Sequence, residues 1–66
     1  MPFVVIQRDR KYPDMHVVNW IGSLSFHGEI KKFKTKRKAL EIAQMWADIN
    51  AECGHSHKKM IVKEVP

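Results

Sequence analysis

The segment from Lys36 to Glu52 contains neither glycine nor proline, and its apolar residues recur at helical spacing. Thr35 is a good N-cap, and Gly54 suits the left-handed position that follows a helix. At about 100° per residue, one half of this helix collects its apolar side chains: Ala39, Leu40, Ile42, Ala43, Trp46, Ala47, Ile49 and Cys53. The pattern predicts one amphipathic helix that must pack on another element.

Four further runs are rich in β-branched and aromatic residues, as strands usually are. They cover residues 3–7, 15–21, 24–33 and 60–65. A polar turn around Pro13 separates the first two runs, which predicts an antiparallel hairpin with a long loop. Gly28 interrupts the third run, which predicts a bulge or break there.

The order of elements is therefore β-β-β-α-β, in a chain of 66 residues with 44% hydrophobic and 29% charged residues. This length and composition predict one ordered domain over residues 1–66. We expect an α+β fold, with a small antiparallel sheet of three to four strands and the helix packed on one face. The other face is then left to solvent, a ligand or a second copy.

Cys53 is the only cysteine, so an internal disulfide cannot stabilise this short chain. A chain of this size has a small stability margin, and self-association is the commonest support, which predicts a homodimer. One unpaired cysteine favours a reducing compartment, and no stretch reaches the 18 or so apolar residues of a membrane span. We expect a cytoplasmic protein that does not enter a membrane.

The net charge of +5 is concentrated in one place. Residues 1–30 sum to zero and residues 39–66 to −1. Residues 31–38, which we call the basic segment, carry +6 from Lys31, Lys32, Lys34, Lys36, Arg37 and Lys38. Three of these cations fall in the first turn of the helix, where they oppose the macrodipole by about a few tenths of a kcal/mol each.

Such a departure from the favoured charge pattern predicts a phosphate-binding site. Its alternative is a solvated basic surface without a ligand. Arg8, Arg10 and Lys11, in the hairpin loop, are further candidates for phosphate contacts.

Cys53-Gly54-His55-Ser56-His57 holds three side chains that can bind a metal. The second ligand pair of a zinc site is absent from the sequence, so we predict no metal and no cofactor. We expect Cys53 to close the apolar face of the helix. A catalytic pocket, a nucleophile motif and a glycine-rich phosphate loop are also missing from the pattern, so we predict that the protein is not an enzyme.

Trp46 lies in the middle of the apolar half of the helix, which predicts a buried side chain. Trp20 shares its predicted strand face with His16 and Val18. We expect that face either to expose Trp20 or to be covered by a dimer or another partner.

The phrase Phe33-Lys34-Thr35-Lys36-Arg37-Lys38-Ala39 joins the third strand to the helix. With its flanks, residues 26–52, it resembles the arm-type N-terminal DNA-binding domain of tyrosine integrases, a three-stranded sheet and a helix joined by the pattern F-x-T-K-x-x-A. The sheet of that family enters the major groove. The resemblance implies that Asn19 lies near bases and that the DNA backbone is contacted by Lys31, Lys32, Lys34, Lys36 and Arg37.

The same stretch is similar to short uncharacterised bacterial and phage proteins, which have two strands, the same helix entry and a closing strand. Residues 60–65 match this second family better, because the integrase arm domain lacks a closing strand.

Two functions remain open. The first is a non-enzymatic nucleic-acid-binding module, or a small phage-type or regulatory accessory protein, that contacts phosphates, with DNA preferred to RNA. The second is a protein-binding or self-assembling domain, such as a small inhibitor or adaptor, that acts through a strand edge or the uncovered sheet face.

Overall fold

The computed structural model describes residues 1–55 and 57–66. Its strands are β1 (Phe3–Arg8), β2 (Met15–Val17), β3 (Leu24–Ser25) and β4 (Lys59–Glu64), and its helix is α1 (Lys36–Glu52). The strands form one antiparallel sheet in the order β3-β2-β1-β4. The predicted α+β class, the order of elements and the bounds of the helix are confirmed.

The helix covers one face of the sheet and packs mainly on β1 and β4. Val5 and Val17 from the sheet meet Ala39, Ile42 and Ala43 from the helix in the buried core. Burying these apolar side chains supplies most of the stability that a chain of this size can have. Since side chains alternate along a strand, the neighbours of Val5 in sequence lie on the opposite face, which the helix leaves uncovered. On that face Val4 is nevertheless only 4% exposed, and the ring of His16 lies 3.1 Å from the carbonyl oxygen of Gly28 in the loop after β3.

The buried face of the helix is narrower than the sequence pattern predicts. Leu40 and Ile49 are 48% and 39% exposed, and Cys53 is exposed as well. The prediction that Cys53 closes the apolar face is therefore wrong. Asn50 is buried instead, because its side chain bonds to Gln7 on β1.

The second strand is shorter than predicted and ends at Val17. The side-chain oxygen of Asn19 accepts hydrogen bonds from the backbone N–H groups of Ile21, Gly22 and Ser23, at 3.0 to 3.1 Å. An Asn side chain that binds the following backbone in this way forms a turn and competes with strand pairing. Asn19 therefore turns the chain instead of extending β2.

The third strand is also short, since it covers only Leu24–Ser25. Gly28 adopts a left-handed φ of +91°, which confirms the break predicted there. After this break the chain returns to the sheet at Phe33, which forms an isolated bridge to Phe3. The predicted strand over residues 24–33 is thus a two-residue strand, a loop and a single bridge.

Candidate nucleic-acid interface

The basic segment is fixed to the sheet by its backbone. The N–H of Lys31 donates to the carbonyl oxygen of Val17 at 2.8 Å, and Phe33 and Phe3 exchange two hydrogen bonds of 2.8 Å. The side chain of Phe33 is 1% exposed and belongs to the core. The lysines on either side of Phe33 are therefore carried by an ordered backbone while their side chains remain in solvent.

The basic segment then continues into the first turn of α1. Thr35 has an extended backbone, and its hydroxyl oxygen accepts a hydrogen bond from the N–H of Lys38 at 3.3 Å, which confirms the predicted N-cap. Lys36, Arg37 and Lys38 fill the first turn, where the free N–H groups and the macrodipole favour an anion. Cations and helix end together make this a region of positive potential.

Few of these cations are neutralised. Arg37 and Lys38 lie 3.8 and 3.9 Å from the carboxylate of Glu41, and the side chain of Arg37 is 92% exposed. Exposed pairs at such distances are weak and leave the cations available. In residues 1–55 and 57–66, Lys32, Lys34 and Lys36 have no carboxylate oxygen within 4.0 Å.

The uncovered face of the sheet adds two cations, Lys59 and Lys63, that are not among the residues predicted to contact phosphate. The register pairs Arg8 with Lys59 and Val4 with Lys63, and both pairs lie on the face away from the helix. The described strand residues on this face include no acidic side chain: Val4, Ile6, Arg8, His16, Ser25, Lys59, Ile61 and Lys63. The alternation Lys59, Ile61, Lys63 was the available signal, but the sequence does not tell which face the helix covers.

The alternation around Phe33 connects the basic segment to this surface. Because Phe33 is buried toward the helix, its neighbours Lys32 and Lys34 lie toward the uncovered face. Phe33 pairs with Phe3, one residue from the Val4–Lys63 pair. Lys63 therefore extends the surface of the basic segment across this end of the sheet.

The hairpin-loop cations do not join the basic segment. Phe3 and Arg8 are the two ends of β1, about 17 Å apart at the usual rise of about 3.3 Å per residue. Arg10 and Lys11 follow in the loop beyond Arg8 and are exposed. The structure thus places the predicted phosphate contacts in two groups at opposite ends of the sheet.

Among the described residues, Arg8 has the shortest ion pair of the predicted site residues. Its Nη2 and Nε donate to the carboxylate of Asp14 at 3.1 and 3.4 Å. These hydrogen bonds, and then the charge of Asp14, raise the pKa of Arg8. The guanidinium stays protonated in either case, but the carboxylate competes with any phosphate for it.

Trp20 lies in the turn after β2 and is 65% exposed. The ammonium nitrogen of Lys31 is 3.5 Å from the centroid of its ring, a close cation–π contact. The prediction that Trp20 lies on a sheet face is therefore wrong. Trp20 lies beside the start of the basic segment. Asn19, which the integrase resemblance places near bases, uses its side-chain oxygen to hold this turn.

Trp46 is only half-buried, so the prediction of a buried side chain is wrong in degree. Its indole N–H donates to the carbonyl oxygen of Gly22 at 2.6 Å, while its ring packs against the core. A tryptophan with a polar partner commonly lies at such a boundary. Trp46 thus fastens the turn that carries Trp20 to the helix.

The helix ends as the sequence predicts, with Gly54 at a left-handed φ of +76°. The rings of His55 and His57 lie 5.9 Å apart, and the Nε2 of His57 is 3.7 Å from Asp9. Ser56 lies outside the described residues. In the described part of the chain no three His, Cys, Asp or Glu side chains are grouped as metal ligands.

None of the helices described here has the length and apolar content that crossing a bilayer requires. Comparison with family models, curated proteins and solved structures finds no match to this chain. The resemblance to integrase arm domains and to short phage proteins stays a prediction.

Proposed function

We propose that this protein is a non-enzymatic nucleic-acid-binding domain whose basic segment contacts phosphates. The observation that carries the proposal is the state of Lys32, Lys34 and Lys36. They are exposed and have no carboxylate within 4.0 Å among the described residues. Because the backbone that carries these lysines is already ordered, a polyanion can bind without ordering the backbone, so more of the electrostatic attraction is retained as affinity.

The extent of the surface supports the same proposal. Lys63 lies across β1 from the basic segment, and the described strand residues of the uncovered face are neutral or basic. A phosphate backbone presents a regular row of negative charges, which such an extended surface complements without reading sequence. A small regulatory or phage-type accessory protein that binds DNA is the biological role that fits this chemistry.

The proposal predicts strong salt dependence. Anisotropy of a labelled random-sequence oligonucleotide should show tight binding at 50 mM salt and a loss of roughly a thousandfold at 200 mM if about six phosphates are contacted on a duplex. The protein's mass in solution should be measured in the same buffer, because the predicted homodimer would double the surface. Affinity that does not change with salt would refute phosphate binding.

A matched pair of variants separates the basic segment from net charge. Lys32→Glu/Lys34→Glu and Arg10→Glu/Lys11→Glu each lower the net charge from +5 by the same amount. We expect the first variant to weaken binding far more, because those lysines lie on the proposed interface and the second pair lies at the other end of the sheet. Equal losses would show a general charge effect without a site.

The second function, protein binding or self-assembly, has one observation in its favour. Ile6 and Ile61 pair at the centre of the uncovered face and are only partly buried. An apolar centre with a charged rim is typical of a protein interface, and the lysine rim would favour an acidic partner. Ile61→Asp should abolish such an association, or the predicted homodimer, and leave salt-dependent oligonucleotide binding measurable.

A further inference from the structure

We infer that Trp20 is a stacking platform for one unpaired base, so that the protein prefers single-stranded nucleic acid to duplex. This inference rests on the proposed function and adds the form of the nucleic acid. Its basis is an exposed indole held beside the first cation of the basic segment. Trp20 is 65% exposed, and the Nζ of Lys31 lies 3.5 Å from its ring centroid.

The turn that carries Trp20 is fixed from two sides. Within the turn, the side-chain oxygen of Asn19 accepts three backbone hydrogen bonds, and the N–H of Val18 donates to the carbonyl oxygen of Ser23 at 3.0 Å. From the helix, Trp46 donates its 2.6 Å hydrogen bond to Gly22. Gly22 is buried against the side chains of Ile42 and Met45. Trp20 is thus presented by an ordered turn.

The indole has a free side. With Lys31 over one face of the ring and Trp20 still 65% exposed, we infer that the exposed area includes the other face. A buried structural tryptophan would pack both faces against protein, as the core side chains do. An exposed aromatic face next to cations is the arrangement with which proteins bind single strands, because every base has a flat face to stack.

A paired base does not offer that face. In a duplex both faces of each base are covered by its neighbours, so stacking on a side chain requires an unpaired base or a forced separation of the stack. Lys31 also connects the two contacts, since it touches the indole and begins the basic segment. A strand with one base on Trp20 would therefore have its next phosphates beside Lys32 and Lys34.

The experiment compares a 12-nucleotide thymidine strand with a 12-base-pair duplex at 50 mM salt, for the wild-type protein, Trp20→Ala and Ile21→Ala. Ile21 is the matched control, because it is 79% exposed in the same turn. We expect Trp20→Ala to lose about tenfold in affinity for the single strand, the size of one base–aromatic stack, and less than twofold for the duplex. Ile21→Ala should change neither by more than about twofold.

Intrinsic fluorescence gives an independent readout. The single strand should quench the wild-type emission, and the quenching should disappear in Trp20→Phe, in which Trp46 remains as an internal reference. Trp20→Phe should also recover most of the affinity that Trp20→Ala loses, because a phenyl ring still stacks. Circular dichroism of each variant confirms that an exposed substitution has left the fold intact.

Three results would overturn the inference. If Trp20→Ala binds the single strand as tightly as the wild type, Trp20 is not a platform, although salt-dependent binding would still support the proposed function. If Trp20→Ala loses as much affinity for the duplex as for the single strand, Trp20 inserts into the duplex or lies along it. If neither oligonucleotide binds even at low salt, both proposals fail, and an exposed Trp20 and Ile21 become the anchor of a protein interface.

Discussion

The side-chain N–H of Asn50 donates a hydrogen bond of 3.1 Å to the side-chain oxygen of Gln7, and both residues are buried. The bond joins the last turns of the helix to β1 within an otherwise apolar layer. A buried amide costs free energy unless its polar atoms are paired, so the two residues stabilise the fold only as a pair.

We therefore expect Asn50→Leu to destabilise the protein by about 1 to 3 kcal/mol, because the oxygen of Gln7 would remain buried without a donor. The double variant Gln7→Leu/Asn50→Leu should recover most of that loss. Urea unfolding of the two single variants and the double variant tests the coupling. Losses that simply add would show that the hydrogen bond contributes nothing of its own.

Gly22→Ala should be costlier than Gly54→Ala. Both glycines have a left-handed φ, +97° and +76°, so both variants introduce backbone strain of about 1 to 2 kcal/mol. A methyl group at Gly22 would also lie 3.1 Å from Met45 and 3.2 Å from Ile42, whereas at Gly54 it meets no described atom within 4 Å. Crowding should add about 1 to 3 kcal/mol at Gly22 alone, measurable as a larger fall in the unfolding midpoint.

Lys36→Glu should move stability and binding in opposite directions. A carboxylate in the first turn of the helix should stabilise it by about 0.3 to 1 kcal/mol. The same change replaces a proposed phosphate contact by a repulsive charge, so oligonucleotide affinity should fall on all sequences alike. Thermal melts and anisotropy on one protein sample measure both effects, and Lys36→Gln should be intermediate. A variant that is less stable and binds normally would contradict both expectations.

Asp14→Asn tests whether Arg8 belongs to the interface. Loss of the carboxylate frees the guanidinium, but Arg8 lies at the end of β1 away from the basic segment, so we expect at most about a twofold gain in affinity at low salt. A severalfold gain that Arg8→Gln in the same background cancels would place Arg8 in the interface. If that second change has no effect, Arg8 lies outside the interface. Titration of Arg8 in the Arg8–Asp14 pair should not make the free energy of unfolding depend on pH near neutrality. The pKa of Arg8 is raised from an already high value, so proton loss from Arg8 reduces stability only as the pH rises into strong alkali.

The helix could be predicted to the residue because its start and its end are both local. Thr35 caps the first turn and Gly54 follows the last one, and neither depends on distant contacts. The side of the helix that is buried could not be predicted equally well. Asn50 is polar, so the sequence does not predict that it is buried. Its partner Gln7 is 43 residues away in sequence and is brought to it only by the folded sheet.

The same limit applies to the candidate site. The six cations of the basic segment are adjacent in sequence, so they could be found from charge alone. Trp20 joins them through the fold, since its contact with Lys31 depends on the turn at Asn19 and on the return of the chain to Phe3. Strand propensity predicted a continuous strand over residues 15–21 instead of this turn. Propensity does not include the competing hydrogen bonds of one asparagine side chain.

The position of β4 at the outer edge of the sheet affects how the protein behaves when it is concentrated. A second copy that extends the sheet must align residues of the same face. If β4 pairs antiparallel with β4 of the second copy in a register centred on Ile61, Lys59 lies opposite Lys63 of the other copy. A register centred on Val62 places Lys63 opposite Ile61 instead. Like charges in direct apposition are unfavourable, and β3 at the other edge has only two residues. The Ile61-centred register at β4 and the short edge at β3 thus both disfavour the strand-on-strand growth that leads to aggregates and fibrils.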